Sequence, residues 1–188
     1  ATSFQGYTLK GSGAGAAQNY TYVGKPNNGQ ITGVIAANNL NLSGNPYASA
    51  LDANAFITAN SASTTGALYF WEHYSTNSSH NLINYQGGYA SRTLVGGTPP
   101  VAPVGISGLG SSSKTPSRYI PVGQGFFVFG SATGGTIRFN NDQRAFVKED
   151  NVASNTLFRN NANNMLTVDH FNDNSEDQFT EDNFQKIR

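Results

Sequence analysis

Glu72, His73 and His80 are the closest grouping of a carboxylate with imidazoles in the chain, the residue types that hold a metal or move a proton. Both uses require the groups to converge on one atom. Successive residues of a strand project to opposite faces, so Glu72 and His73 do not converge on one atom, and a site there requires His80 or His170 to approach one of them through tertiary structure. A hydrogen-bonded strand face is the simpler reading. No Gly-x-Ser-x-Gly elbow, His-Glu-x-x-His pair or phosphate loop occurs. The chain therefore reads as non-catalytic, with a hydrolase accessory or catalytic domain as the third reading.

Three other sets could bind something. The acidic loop 169–183 offers hard oxygen ligands, Asp169, Asp173, Glu176 and Asp177, which suit Ca²⁺. It lacks the glycine and spacing of an EF-hand, and a solvated loop is the alternative. Gly11-Ser-Gly-Ala-Gly-Ala16 satisfies a Gly-x-Gly-x-x-Ala pattern, but the β-like Asn19-Tyr-Thr-Tyr-Val23 follows it where a helix should begin. A glycine loop is expected instead of a nucleotide site. Trp71, Tyr74, Tyr85 and Tyr89 sit on or beside glycine-rich segments, where rings with an apolar face and a polar edge can stack on a sugar. A core position is the alternative for the single Trp.

Composition narrows the partners. Charged residues are 12% of 188 and cancel to a formal net charge of zero, against about 25% in a typical soluble domain. Without clustered Lys and Arg there is no basic field for nucleic acid or an anionic membrane. Cysteine is absent, which excludes disulfides and thiolate metal sites. No apolar run approaches the ~20 residues that span a bilayer, so membrane insertion is not expected. The amino end lacks a charged region followed by an apolar core, as it would if a signal peptide had been removed or left out.

The elements that must position these residues are strands, because aromatic and apolar residues come in short runs separated by Gly and Asn breaks. Segment 3–9 reads as a first strand. A hairpin is expected from 19–24 and 31–36 around Lys25-Pro-Asn-Asn-Gly29, and a second from 124–129 and 136–139 around Gly130-Ser-Ala-Thr-Gly-Gly135. Leu40 and Leu42 share one face of a strand at 39–42. One short helix at 52–59 is predicted, N-capped by Asp52, with Leu51, Ala55 and Ala59 at helical spacing.

In 67–74, period two puts Leu68, Phe70, Glu72 and Tyr74 on one face and Tyr69, Trp71 and His73 on the other, as in a strand covered on both sides. Segment 87–117 reads as long Gly/Ser/Pro loops, and 145–148, 156–159, 165–168 and 185–188 as short strands. Together these predict an all-β fold, an antiparallel two-sheet sandwich or jelly roll, as one domain over 1–188.

Two blocks stand out: Leu42-Ser-Gly-Asn-Pro-Tyr47 with Ala50-Leu-Asp-Ala53, and Arg118-Tyr-Ile-Pro-Val-Gly-Gln-Gly-Phe-Phe-Val128. With Gln18–Gly29, Leu68–Tyr74 and Tyr85–Ala90, they resemble a module of large surface proteins of flavobacteria and other Bacteroidetes that are exported by the type IX secretion system. The similarity covers about 6–148. Relatives usually carry Pro where Ala48 stands, and they continue past Arg188 into further strands and a sorting domain. The resemblance implies an extracellular or outer-surface location within a multidomain protein, and it supplies no catalytic residues. Physically, both blocks read as fold-maintaining, through a rigid turn at Gly44-Asn-Pro46 and a bulge or close approach at Gly123 and Gly125.

The expected function is adhesion or binding of a polysaccharide or cell-surface glycan. The runner-up is a structural unit whose strand edges pair with other domains of the parent protein or with identical subunits.

Overall fold

The computed structural model describes residues 3–8, 21–74 and 81–147. In chain order the elements are β1 (Ile31–Ile35), β2 (Leu40–Gly44), β3 (Ala50–Asp52), α1 (Ala53–Ala59), β4 (Thr64–His73), β5 (Gly87–Arg92), β6 (Gly97–Val101), β7 (Tyr119–Ile120), β8 (Gly125–Gly130), β9 (Gly135–Phe139), a 3₁₀ turn at Asn141–Gln143, and β10 (Arg144–Ala145). Every strand pairing is antiparallel. A five-stranded sheet of order β2-β8-β4-β5-β6 faces a two-stranded sheet β1-β9, a three-stranded sheet β10-β3-β7 and the helix. The all-β sandwich with one short helix is therefore the fold.

Contacts divide the chain into two units, 1–9 with 26–160 and 10–25 with 161–188. All the elements named above belong to the first unit. Of the second, only 21–25 is described, and it forms no strand. The acidic loop, His80, His170 and the strands expected at 156–159, 165–168 and 185–188 lie outside the described residues.

Alternation along the central strands builds the core. Leu68 and Phe70 of β4, Phe126 and Val128 of β8 and Ala90 of β5 point inward and are buried. Phe56 of α1 meets them, edge-on to Phe126 at 5.6 Å and tilted against Phe139 at 4.8 Å. The helix forms where expected because Asp52 is extended and its Oδ1 accepts the Asn54 and Ala55 amide protons. Its buried residues are Ala53, Phe56 and Ile57; of those expected at helical spacing, Leu51 is buried but lies in β3, Ala55 is half-buried and Ala59 is exposed. At its carboxy end, buried Asn60 donates to Phe56 O and Arg138 O and accepts from the Arg138 amide, tying α1 to β9.

Both expected hairpins are corrected. β1 pairs with β9 rather than with the segment before it, and β8 pairs with β2 and β4 rather than with β9. The β1–β2 and β8–β9 connections instead run side by side as a ribbon that passes from one sheet to the other, joined by Asn38 N to Ser131 O and Gly130 N to Asn39 O. That crossing needs close backbones. A Cβ at Gly134, whose φ is +64°, would lie 2.5 Å from Ile35 O.

The expected loop 87–117 is corrected in its first half, since Gly87–Arg92 and Gly97–Val101 are strands, while 102–117 carries no strand or helix. Their glycines and prolines serve the packing. Trp71 and Tyr74 lie against Gly87 and Gly88, leaving no room for a Cβ, while Pro99 and Pro100 sit on an edge strand that needs fewer donors. Segment 3–8 forms no extended strand: it joins β2 through the bridge Gln5 to Ser43, and Phe4 packs against the core.

The two sequence blocks, 42–53 and 118–128, interlock. Buried Asn45 donates through Nδ2 to Ser49 O, Ile120 O and Pro121 O and accepts from the Tyr47 amide, while its own amide donates to Gln124 O. Tyr47 is buried and donates its hydroxyl to Gly29 O. Arg118 forms a two-pronged ion pair with Asp52. Gly123 turns the chain with a φ of +71°, and Gly125 faces Gly44 in register. Gly44 itself is not in the left-handed region, so its expected conformational role is not what the turn uses.

Candidate functional site: the outer face of the large sheet

The same alternation that buries Phe126 and Phe70 turns a second set of rings outward. Cross-strand partners share a face, so the register aligns Leu42, Phe127, Tyr69 and Ser91 in one row and Trp71, Tyr89 and Val101 in the next. Five rings form a chain across β4, β5, β8 and the turn before β5. His73 stands edge-on to Tyr85 at 5.0 Å, Tyr85 stacks on Trp71 at 5.6 Å, Trp71 meets Tyr89 edge-on at 4.8 Å, and Tyr89 meets Phe127 edge-on at 5.6 Å. Trp71 owes its place to Gly87: a Cβ there would lie 2.5 Å from its Cζ2. All five rings are half-buried.

Beside this chain lies a groove of about 440 Å³, within the roughly 300–1,000 Å³ of small-molecule sites. Tyr69, Tyr89, Phe127 and Phe129 supply its rings, Leu40 one wall, and Pro99, Val101, Ala102 and Pro103 the other. Ser91 and Thr98 complete it, their hydroxyls sharing a hydrogen bond of 2.6 Å. Burial pushes the Tyr89 hydroxyl above the usual tyrosine range, with the neighbouring Tyr85 adding to it, so Tyr89 is a neutral donor at physiological pH.

Of the four expected ligand-binding rings, Trp71, Tyr85 and Tyr89 meet here and Tyr74 does not. Tyr74 shares the inner face with Glu72, and its hydroxyl donates to Pro100 O at 2.9 Å, pinning β6. The carboxylate and imidazole part as strand geometry demands, with His73 on the outer face and Glu72 on the inner one, where its Oε2 is buried without a hydrogen-bond partner. Half-buried Lys114 feels Glu72: burial lowers its pKa, and the carboxylate partly restores it. Among the described residues no three of His, Cys, Asp and Glu gather as a metal would need. The calcium candidates Asp169, Asp173, Glu176 and Asp177 lie outside those residues.

Sequence reasoning missed Phe127, Phe129, Leu40 and the β6 wall. A signal existed: Gly125-Phe-Phe-Val-Phe129 puts rings on both faces of one strand, and a two-ring outer face is unusual on a solvated sheet. The proline-rich wall carries no strand signal of its own, because Pro99 and Pro100 read as loop residues until β6 is paired with β5. Among the described residues no helix is long and apolar enough to cross a membrane.

Neither a curated protein nor a solved structure matches the chain. One family does, described as Domain of unknown function (DUF8693), and its match over residues 2–176 takes in both interlocking blocks and the whole aromatic face. The chain belongs to that family.

Proposed function

We propose that this chain is a non-catalytic recognition module of a secreted, cell-surface protein of the Bacteroidetes type, binding glycan through the outer face of its large sheet. The carrying observation is the aromatic chain from His73 to Phe127 together with the groove beside it. A sheet face that merely met water would carry polar residues at Tyr69, Trp71, Tyr89, Phe127 and Phe129, because alternation already supplies a complete core on the other side. Grouped apolar surface of this kind marks interaction sites. Rings held against one another lose little entropy on binding, which favours rigid contact.

Assembly through strand edges has less support, since the β6 edge carries Pro99 and Pro100, which have no N–H to give an added strand. The test is a glycan array probed with the wild-type chain and with Tyr89→Ala. Binding that is lost in the variant supports recognition. Concentration-dependent polymers with no glycan bound would overturn it in favour of assembly.

A further inference from the structure

Among the described residues the groove holds four hydroxyl-bearing side chains, Tyr69, Tyr89, Ser91 and Thr98, and no carboxylate, amide or cationic one. The cations near it in sequence are directed elsewhere. Arg92 donates to Asn54 Oδ1 of the helix, and Lys114 lies by Glu72 on the inner face. An anionic ligand seated in the groove would give up water without gaining a counter-charge, because carboxylate and sulfate recognition relies on Arg or Lys. A pyranose ring meets different terms. Its C–H face packs on an aromatic ring while its hydroxyls replace water with the Tyr, Ser and Thr hydroxyls.

We propose, resting on the recognition function above, that the groove is a subsite for neutral pyranose glycans and discriminates against uronate and sulfated ones. Thr98 is its specificity lever, because it is exposed on edge strand β6 and can carry a charge without disturbing the core.

The experiment is calorimetric titration of the full chain with hexamers of neutral gluco-, manno- and galactopyranose and with a galacturonic acid hexamer. At least one neutral hexamer is expected to bind ten-fold or more tightly than the uronate. Tyr89→Ala should weaken it at least ten-fold, and Thr98→Lys should narrow the neutral-over-uronate preference at least ten-fold while the thermal midpoint is kept. Uronate binding equal to or tighter than neutral, and lost in Tyr89→Ala, would overturn the neutrality inference and leave glycan recognition standing. If no hexamer of either class binds, or if a proline-rich peptide occupies the groove instead, both fall.

Discussion

Replacing Asn45 with Asp changes one NH₂ to an oxygen at the point where the two sequence blocks interlock. The amide nitrogen faces three carbonyls, Ser49 O at 2.8 Å, Pro121 O at 3.1 Å and Ile120 O at 3.2 Å, and the amide oxygen accepts from Tyr47 N at 3.0 Å. An ionised Asp keeps the Tyr47 bond but has no proton for the carbonyls. Protonated, it gives one proton where Asn gave two, a loss of about 1–3 kcal/mol for buried carbonyls left short of a partner.

Keeping it protonated costs more as pH rises, about 1.4 kcal/mol per unit above the free value near 3.9, so up to about 4 kcal/mol further at pH 7. The sign follows from linkage. The folded pKa of Asp at 45 is raised, so whatever stability remains is fully present below about pH 3.9 and is lost as pH rises through the folded value. Urea unfolding followed by Trp71 fluorescence, at pH 4, 5.5 and 7 on both proteins, should show a deficit that grows with pH. Asn45→Leu, which cannot titrate, should show a pH-independent deficit. An Asn45→Asp deficit that is constant from pH 4 to 7, or below about 0.5 kcal/mol throughout, would refute the assignment of the Asn45 bonds.

Other outcomes follow from the same geometry. The Arg118 guanidinium, together with the Asn54 and Ala55 amides, holds the Asp52 carboxyl below the usual range against the opposing effect of burial, so its contribution is present above about pH 3.9 and lost as pH falls through the folded value. Asp52→Ala should lower stability by about 1 kcal/mol through the lost helix cap and flatten that acid limb in pH-dependent unfolding. Phe126→Ala, at 1% exposure, should cost about 3–5 kcal/mol, and Phe127→Ala clearly less, since the two neighbours face opposite sides. Gly87→Ala should shift Trp71 emission and weaken glycan binding, with a stability loss of about 1–3 kcal/mol, because its Cβ meets both the indole and Glu72 O at 2.7 Å.

Local chemistry was legible in the sequence, and partner choice was not. The helix at Asp52 could be read because a cap is settled within three residues. The face assignment along Tyr69, Trp71 and His73 held because it needs only period two. The hairpins failed because Asn28-Gly29 and Gly134-Gly135 are good turn formers whose flanking strands found better partners far along the chain. Strands β5 and β6 were hidden because Gly87, Gly88, Pro99 and Pro100 look like loop residues until the rings of Trp71 and Tyr74 are placed over the glycines. The groove depended on that missed pair, so Tyr89 was found without its proline wall.

The most direct measurement is two-dimensional aromatic NMR of the chain titrated with the neutral hexamers. Recognition through the outer face predicts that the resonances of Tyr69, Tyr89, Phe127 and Phe129 move together and saturably, while those of Phe56, Phe126 and Phe139 stay in place. Saturable shifts confined to residues away from the outer face, or none with any hexamer, would contradict it.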